Sequence, residues 1–148
     1  MDKFSTEEAP FTASDVWLTF GVSGALYTSI GSLCEKGENI LAPRPGFPLC
    51  KTICENLGVD VKFYDLDPEN EFKVKLDTVE AAIDEKTKAF LVINPSNPCG
   101  SVFSKDHMVE IAELAAKKGL VILADEIYHG LNYGEGTEFH TFASVARD

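Results

Sequence analysis

The sequence predicts an α/β fold of three layers, with helices flanking both faces of a mostly parallel sheet. Two observations carry this. From Asp15 onward, short β-branched runs alternate with segments of 3.6-residue periodicity, the pattern of strands joined by helical crossovers. Late in the chain, two apolar runs, KAFLVIN (88–94) and LVILAD (120–125), flank a helical stretch from about Lys105 to Lys118. A strand, a crossover helix and a second apolar strand make a right-handed βαβ unit, with parallel strands buried on both faces.

The elements follow in order. DVWLTF (15–20) and GENILAP (37–43) read as strands around a helix from about Ala25 to Glu35, with Gly37 where a C-terminal cap belongs. PLCKTICENLG (48–58) is a second helix with Leu49, Ile53 and Leu57 on one face, closed by Gly58; VDVKFYDL (59–66) follows as a strand. LDTVEAAI (76–83) opens with Asp77 as N-cap and Glu80 three residues on, an acidic analogue of the capping box. In the helix after KAFLVIN, Ser104 can cap the start and Asp106 suits the positive end. Met108, Ile111, Ala112 and Ala115 line one face, and Lys117 and Lys118 complement the negative end before Gly119.

Composition narrows the function classes. With 148 residues, 45% hydrophobic and 25% charged, the chain has the size and apolar mass of one globular domain. A formal net charge of -11, from 24 acidic against 13 basic residues, repels polyanions, so neither nucleic acid nor an anionic membrane is the expected partner. MDKFSTEEAP, the first ten residues, lacks the basic and apolar regions of a signal peptide, and no apolar run has bilayer length. A soluble, cytoplasmic protein is the expectation. Cys34, Cys50, Cys54 and Cys99 form no CxxC pair and have no histidine nearby, so reduced, mostly buried thiols are expected and no metal site.

Open parallel sheets bind ligands beyond the carboxyl ends of their strands, and four such ends stand out: TFGVSGAL (19–26), APRPGFPL (42–49), NPSNPCG (94–100) and ADEIYHG (124–130). In the first, Gly21 permits an unusual turn, and Ser23, Gly24 and Ala25 can offer backbone N–H groups at a helix start, an anion site by geometry. A serine-capped glycine turn is more often plain structure, however. VILADE resembles a Walker B strand, but the GxxxxGK[ST] loop and the GxGxxG fingerprint are both absent. Taken singly, Asp125 can be a capping carboxylate and Tyr128 an ordinary half-buried aromatic.

Taken together, NPSNPCG, ADEIY, PRPGFP and the SGA turn, in this order and spacing, resemble the large domain of fold-type I (class I/II) pyridoxal-phosphate aminotransferases. The wording of NPSNPCGSVFSK and ILAPRPGFPL is most similar to the branch acting on tyrosine. The similarity runs from about Pro10 to the C-terminus. It implies an N-terminal extension (1–14) followed by a partial cofactor-binding large domain (15–148). The implied activity is transfer of an amino group from an aromatic amino acid such as tyrosine to a 2-oxo acid, by a ping-pong scheme on pyridoxal 5'-phosphate, in a homodimer. By position, Asp125 faces the pyridine nitrogen and keeps it protonated; Asn97 and the Tyr128 hydroxyl bond the phenolic oxygen. Phe47 stacks on the ring, and the Ser23, Gly24 and Ala25 amides take the phosphate. The two prolines of NPSNPCG hold the loop rigid while Asn97 points at the cofactor, and Gly100 turns the chain into the next helix.

The resemblance also implies what lies elsewhere. The family's Schiff-base lysine belongs to a segment like SKxxxxPGxRxG after the next strand, a pattern this sequence lacks, so the chain by itself is expected to be inactive. The alternative reading is a truncated, catalytically inactive module. Lys105 opens a helix and is not expected to be that lysine; Arg44, between prolines, is expected to serve local hydrogen bonding or an interface. In the family's numbering the strands near 39–42, 59–64, 88–93 and 119–124 are expected in order 3-2-4-5. Strand 1, near 16–20, is expected to be detached, and the uncovered edge beside LVILA to be prone to aggregation.

Overall fold

Successive side chains along the central strands point to opposite faces of the sheet, and the alternation splits the core in two. The computed structural model describes residues 12–131, 133 and 136–145. Its first strand, β1 (Asn39–Arg44), lies between β2 (Asp60–Asp67) and β4 (Thr87–Ile93), parallel to both, and β5 (Val121–Asp125) continues parallel beside β4. Ile40, Ala42, Ala89, Leu91 and Ile93 point to one face and pack with Leu26 and Ile30 of α1 (Gly21–Leu33) and Cys50, Ile53 and Cys54 of α2 (Leu49–Leu57). Leu41, Tyr64, Phe90 and Val92 point to the other. There they meet Val79 of α3 (Leu76–Ala82), Met108 and Ile111 of α4 (Lys105–Lys118), and Phe142 and Val145 of α5 (Phe142–Val145). A period of two on a sheet covered on both sides gives the three layers that the sequence predicts, each fully buried aliphatic contributing about 1.5–3 kcal/mol.

The order of the four parallel strands, β2-β1-β4-β5, is the expected one, and a short antiparallel strand, β3 (Lys73–Val74), extends it beyond β2. The expectation of a detached strand at the beginning of the chain is corrected: the first strand in chain order, β1, lies inside the sheet. Residues 16–20, expected to be a strand, form none: they follow a 3-10 turn (Ala13–Asp15), with Trp17, Leu18 and Phe20 at 82%, 96% and 99% exposure. A strand is stabilised by a ladder partner, and this segment has none among the described residues. Of the expected extension, residues 1–11 lie outside the described residues.

Local signals succeed where they rest on neighbours. Ser104 accepts a hydrogen bond from the His107 amide at 3.3 Å, and Gly119 (φ 67°) and Gly58 (φ 72°) terminate α4 and α2 in the left-handed region. Three boundaries shift. Helix α1 starts at Gly21, four residues before the expected Ala25, and ends at Leu33, so Gly37 lies in a separate turn. Lys75, not Asp77, is the N-cap of α3, with Asp77 in the first turn. Strand β5 is not buried on both faces: Val121 is 45% exposed, and no strand among the described residues pairs with its outer edge. All four cysteines are free thiols, Cys50 and Cys54 buried, Cys34 and Cys99 half-buried.

Polar contacts stitch the amino ends of the strands. Asn39 bonds Asp84 (2.9 Å) and accepts from Thr87 (2.8 Å), while Lys62 pairs with Asp84 at 2.7 Å and holds its carboxyl well below the usual range. Across the sheet, the buried Tyr64 hydroxyl donates to the Leu91 carbonyl at 2.9 Å. The carboxyl ends are left to the loops that carry the motifs.

Candidate functional site

Strand β4 ends in a buried amide. Asn94 is fully buried; its backbone N–H donates to the Asp125 carbonyl at 3.0 Å, and its side-chain oxygen accepts the Phe103 N–H at 3.0 Å. Between these anchors the loop closes on itself, Ser96 N–H donating to the Ser101 carbonyl (2.8 Å) and Gly100 N–H to the Ser96 carbonyl (2.9 Å). The Asn94-Pro95 and Asn97-Pro98 peptide bonds are cis. The NPSNPCG stop is therefore a closed knuckle hung from one buried asparagine. Asn97, half-buried on its outer side, reaches the Tyr128 hydroxyl with its amide nitrogen at 3.4 Å.

Strand β5 ends at Asp125. Its carboxyl is half-buried; one oxygen accepts the Ile127 N–H at 3.2 Å, and no cation pairs with it among the described residues. Burial pushes its pKa up, more than the Ile127 hydrogen bond lowers it. The chain then turns tightly, His129 N–H donating to the Glu126 carbonyl and Leu131 N–H to the Tyr128 carbonyl, both at 2.9 Å, which leaves Tyr128 exposed at the rim.

Helix α1 points its first turn toward this region. Gly21 has φ +64°, a conformation that disfavours any side chain, and Thr19 closes the turn by bonding the Gly21 carbonyl at 2.9 Å. Val22 and Ser23 lie in the first turn, where a helix leaves amides without intrahelical acceptors. The Gly24 N–H already donates to the Phe20 carbonyl at 3.4 Å, and Ala25 lies a full turn in. A Cβ on Gly24 would stand 3.2 Å from Thr19 Cβ, so that glycine also serves the packing of the turn.

These residues divide between two clefts. Ala25 and Asp125 face each other across one of about 230 Å³ between α1 and β5. Asn97 and Tyr128 line another, about 840 Å³, that extends to Glu71, Lys73 and Ser104. Ser23, Gly24 and Phe47 line neither; Phe47 is half-exposed in the loop after β1. Arg44, at the end of β1, donates from Nε to Asp65 at 2.7 Å, the local hydrogen bond expected of it. Lys105 is the first residue of α4.

Chemically, the half-buried carboxylate can receive a cationic N–H, the Asn97–Tyr128 pair can donate twice to one anionic oxygen, and the first turn of α1 can take an anion. Two residues escaped the sequence reading. Asn94 sits in the same motif as Asn97, and its one signal was position: an amide placed directly after a fully apolar strand must be buried and so must be satisfied. Glu126 has both carboxylate oxygens engaged, by the Thr141 hydroxyl (2.6 Å) and the Phe142 N–H (2.7 Å); a contact across fifteen residues leaves no local signature.

A family model described as aminotransferase class I and II matches residues 1–148. The chain is 46% identical over 141 residues to tyrosine aminotransferase of Homo sapiens, covering 95% of this chain and 31% of that protein. To an S-alkyl-thiohydroximate lyase of Arabidopsis thaliana it is 40% identical over 136 residues, covering 90% of this chain and 29% of that one. Among solved structures, an aminotransferase from Escherichia coli superposes with a TM-score of 0.88 at 33% identity, covering 93% of this chain and 34% of the other. The chain thus spans about a third of the length of the relatives it matches.

Proposed function

We propose, because this chain belongs to the class I and II aminotransferase family, that it is the part of a longer enzyme that cradles pyridoxal 5'-phosphate for transfer of an amino group from an aromatic amino acid such as tyrosine to a 2-oxo acid. The observation that carries this is the placement of the Asp125 carboxylate, with no cation beside it among the described residues, three residues before Tyr128, whose hydroxyl meets Asn97 at 3.4 Å. Those groups match the chemistry of a ring with a cationic nitrogen and an anionic oxygen, and the first turn of α1 matches its phosphate.

In this reading Asp125, whose charge burial disfavours, regains its favourable state against the protonated ring nitrogen through a charge-assisted hydrogen bond of roughly 1.5–3 kcal/mol. Asn97 and Tyr128 donate to the ring oxygen. Phe47 would cover a ring face, and the first turn of α1, through the Ser23 amide with Gly24 and Ala25 behind it, would take the phosphate. The cofactor, when bound, supplies an electron-withdrawing ring that takes up charge from the substrate's α-carbon as its proton leaves. The lysine for covalent attachment lies outside this stretch, since Lys105 is committed to the start of α4. The full-length enzyme is read as a cytoplasmic homodimer.

The test is an assay of the longer polypeptide carrying this stretch, with tyrosine as donor and a 2-oxo acid as acceptor. Amino transfer with ping-pong kinetics is expected, and Asp125→Ala should reduce kcat/KM by about ten- to hundred-fold, the equivalent of one charge-assisted hydrogen bond. Release of thiol from an S-alkylated substrate, with no amino transfer, would refute the reading in favour of lyase chemistry.

A further inference from the structure

Between Asp125 and Tyr128, the two residues assigned to the cofactor, lies a second carboxylate, Glu126, and it faces the other way. Glu126 spends both oxygens on the segment where α5 begins, accepting from the Thr141 hydroxyl at 2.6 Å and from the Phe142 N–H at 2.7 Å. That segment is fixed to the core: Phe142 and Val145 are buried in the same cluster as Met108 and Ile111 of α4. The turn at 126–131, by contrast, has a backbone held by short-range bonds, His129 to Glu126, Leu131 to Tyr128 and Ile127 to the Asp125 side chain; the His129 ring meets Phe139 and the Tyr128 hydroxyl meets Asn97, and residues 127–130 are exposed. An exposed turn with few buried contacts opens at low free energy unless something ties it to the core.

We infer that Glu126 is a positioning residue, its carboxylate clamping the turn that presents Asp125 and Tyr128 to the core-anchored segment at Thr141 and Phe142. What the turn presents rests on the cofactor reading above; the clamp itself rests on the two hydrogen bonds. With both oxygens engaged, Glu126 is spoken for as an acceptor, which suits a fixed strut better than a proton carrier. Holding a donor to within a fraction of an ångström is what a site on a loop needs from its surroundings.

The experiment is amide hydrogen exchange on the 148-residue chain without ligand, followed by titration with pyridoxal phosphate. Glu126→Ala should speed exchange at His129 and Leu131 about ten-fold or more, a change of one decade in the opening equilibrium, with Leu91 and Val92 of β4 unchanged. Glu126→Gln, which keeps one oxygen acceptor, should recover part of the protection. Should the alanine variant unfold, Thr141→Val removes one of the two bonds and should move the same amides in the same direction. In the cofactor arm, the ring oxygen of bound pyridoxal phosphate should ionise at higher pH in the Glu126→Ala variant, because the Tyr128 hydroxyl no longer stays in place to stabilise the anion. Faster exchange confined to Phe142, with His129 and Leu131 untouched, would overturn the clamp and leave Glu126 as a cap for α5. If the unsubstituted chain binds no pyridoxal phosphate, the cofactor reading fails while the exchange result still decides the clamp.

Discussion

The side-chain oxygen of Asn94 accepts the backbone N–H of Phe103 at 3.0 Å, and through that bond a nine-residue excursion returns to the strand it left. Asn94 is wholly buried, so the bond is shielded from water and its loss strands a donor. The loop that carries Asn97 is thereby fixed at its base, whatever happens at its tip.

Asn94→Leu, close in volume but unable to accept, should lower unfolding stability by about 1–3 kcal/mol, the cost of one buried unsatisfied N–H. Urea denaturation measures it as a lower midpoint at constant slope. A midpoint equal to that of the parent chain would show that the knuckle is held by its prolines and backbone bonds instead.

Asp125 is the place where stability and function should part. Burial raises its carboxyl pKa above the ordinary value, so the folded chain binds a proton more tightly than the unfolded one. Stability tied to this group is therefore greatest at acid pH and falls as pH rises through the window from about 3.8 to the raised folded value. Asp125→Asn should remove that slope and make the ligand-free chain more stable at neutral pH. Unfolding titrations of both chains from about pH 3.5, just below the ordinary carboxyl range, to about pH 7 give the answer. Parallel curves would mean the group is effectively solvated.

Much of the fold was legible because it depends on neighbours in sequence. The Ser104 cap, the Gly58 and Gly119 stops and the four parallel strands all come from patterns a few residues long. Residues 16–20 have strand-like composition, yet a strand also needs a partner to ladder with, and that partner is not a property of the segment. Apolar composition made LVILAD look buried on both faces, while the exposure of Val121 depends on what lies beside it. Of the site, the motifs bring Asn97 and Tyr128 within reach of each other, while Asp125 lines a different cleft and Phe47 lines neither. Glu126 was missed because its partners, Thr141 and Phe142, are joined to it only by folding.

The outer edge of β5 suggests a third test. No strand among the described residues pairs with that edge, and its N–H and C=O groups beside an exposed Val121 invite pairing with another chain. Val121→Lys places a charge on that edge and should reduce light scattering by concentrated solutions of the chain, with the difference shrinking as salt screens the lysine. Equal scattering from both proteins would locate any association elsewhere, the exposed Trp17, Leu18 and Phe20 being the next surface to substitute.

Equilibrium titration of the chain with pyridoxal phosphate, comparing the parent with Asp125→Asn, is the most direct measurement of all. Saturable binding by the parent and affinity about ten- to hundred-fold weaker in the variant, as one lost charge-assisted hydrogen bond requires, is the predicted result, even though the same substitution stabilises the empty chain. Equal affinity in the two proteins would contradict the assignment of Asp125 to the ring nitrogen, and with it the cradle built around that carboxylate.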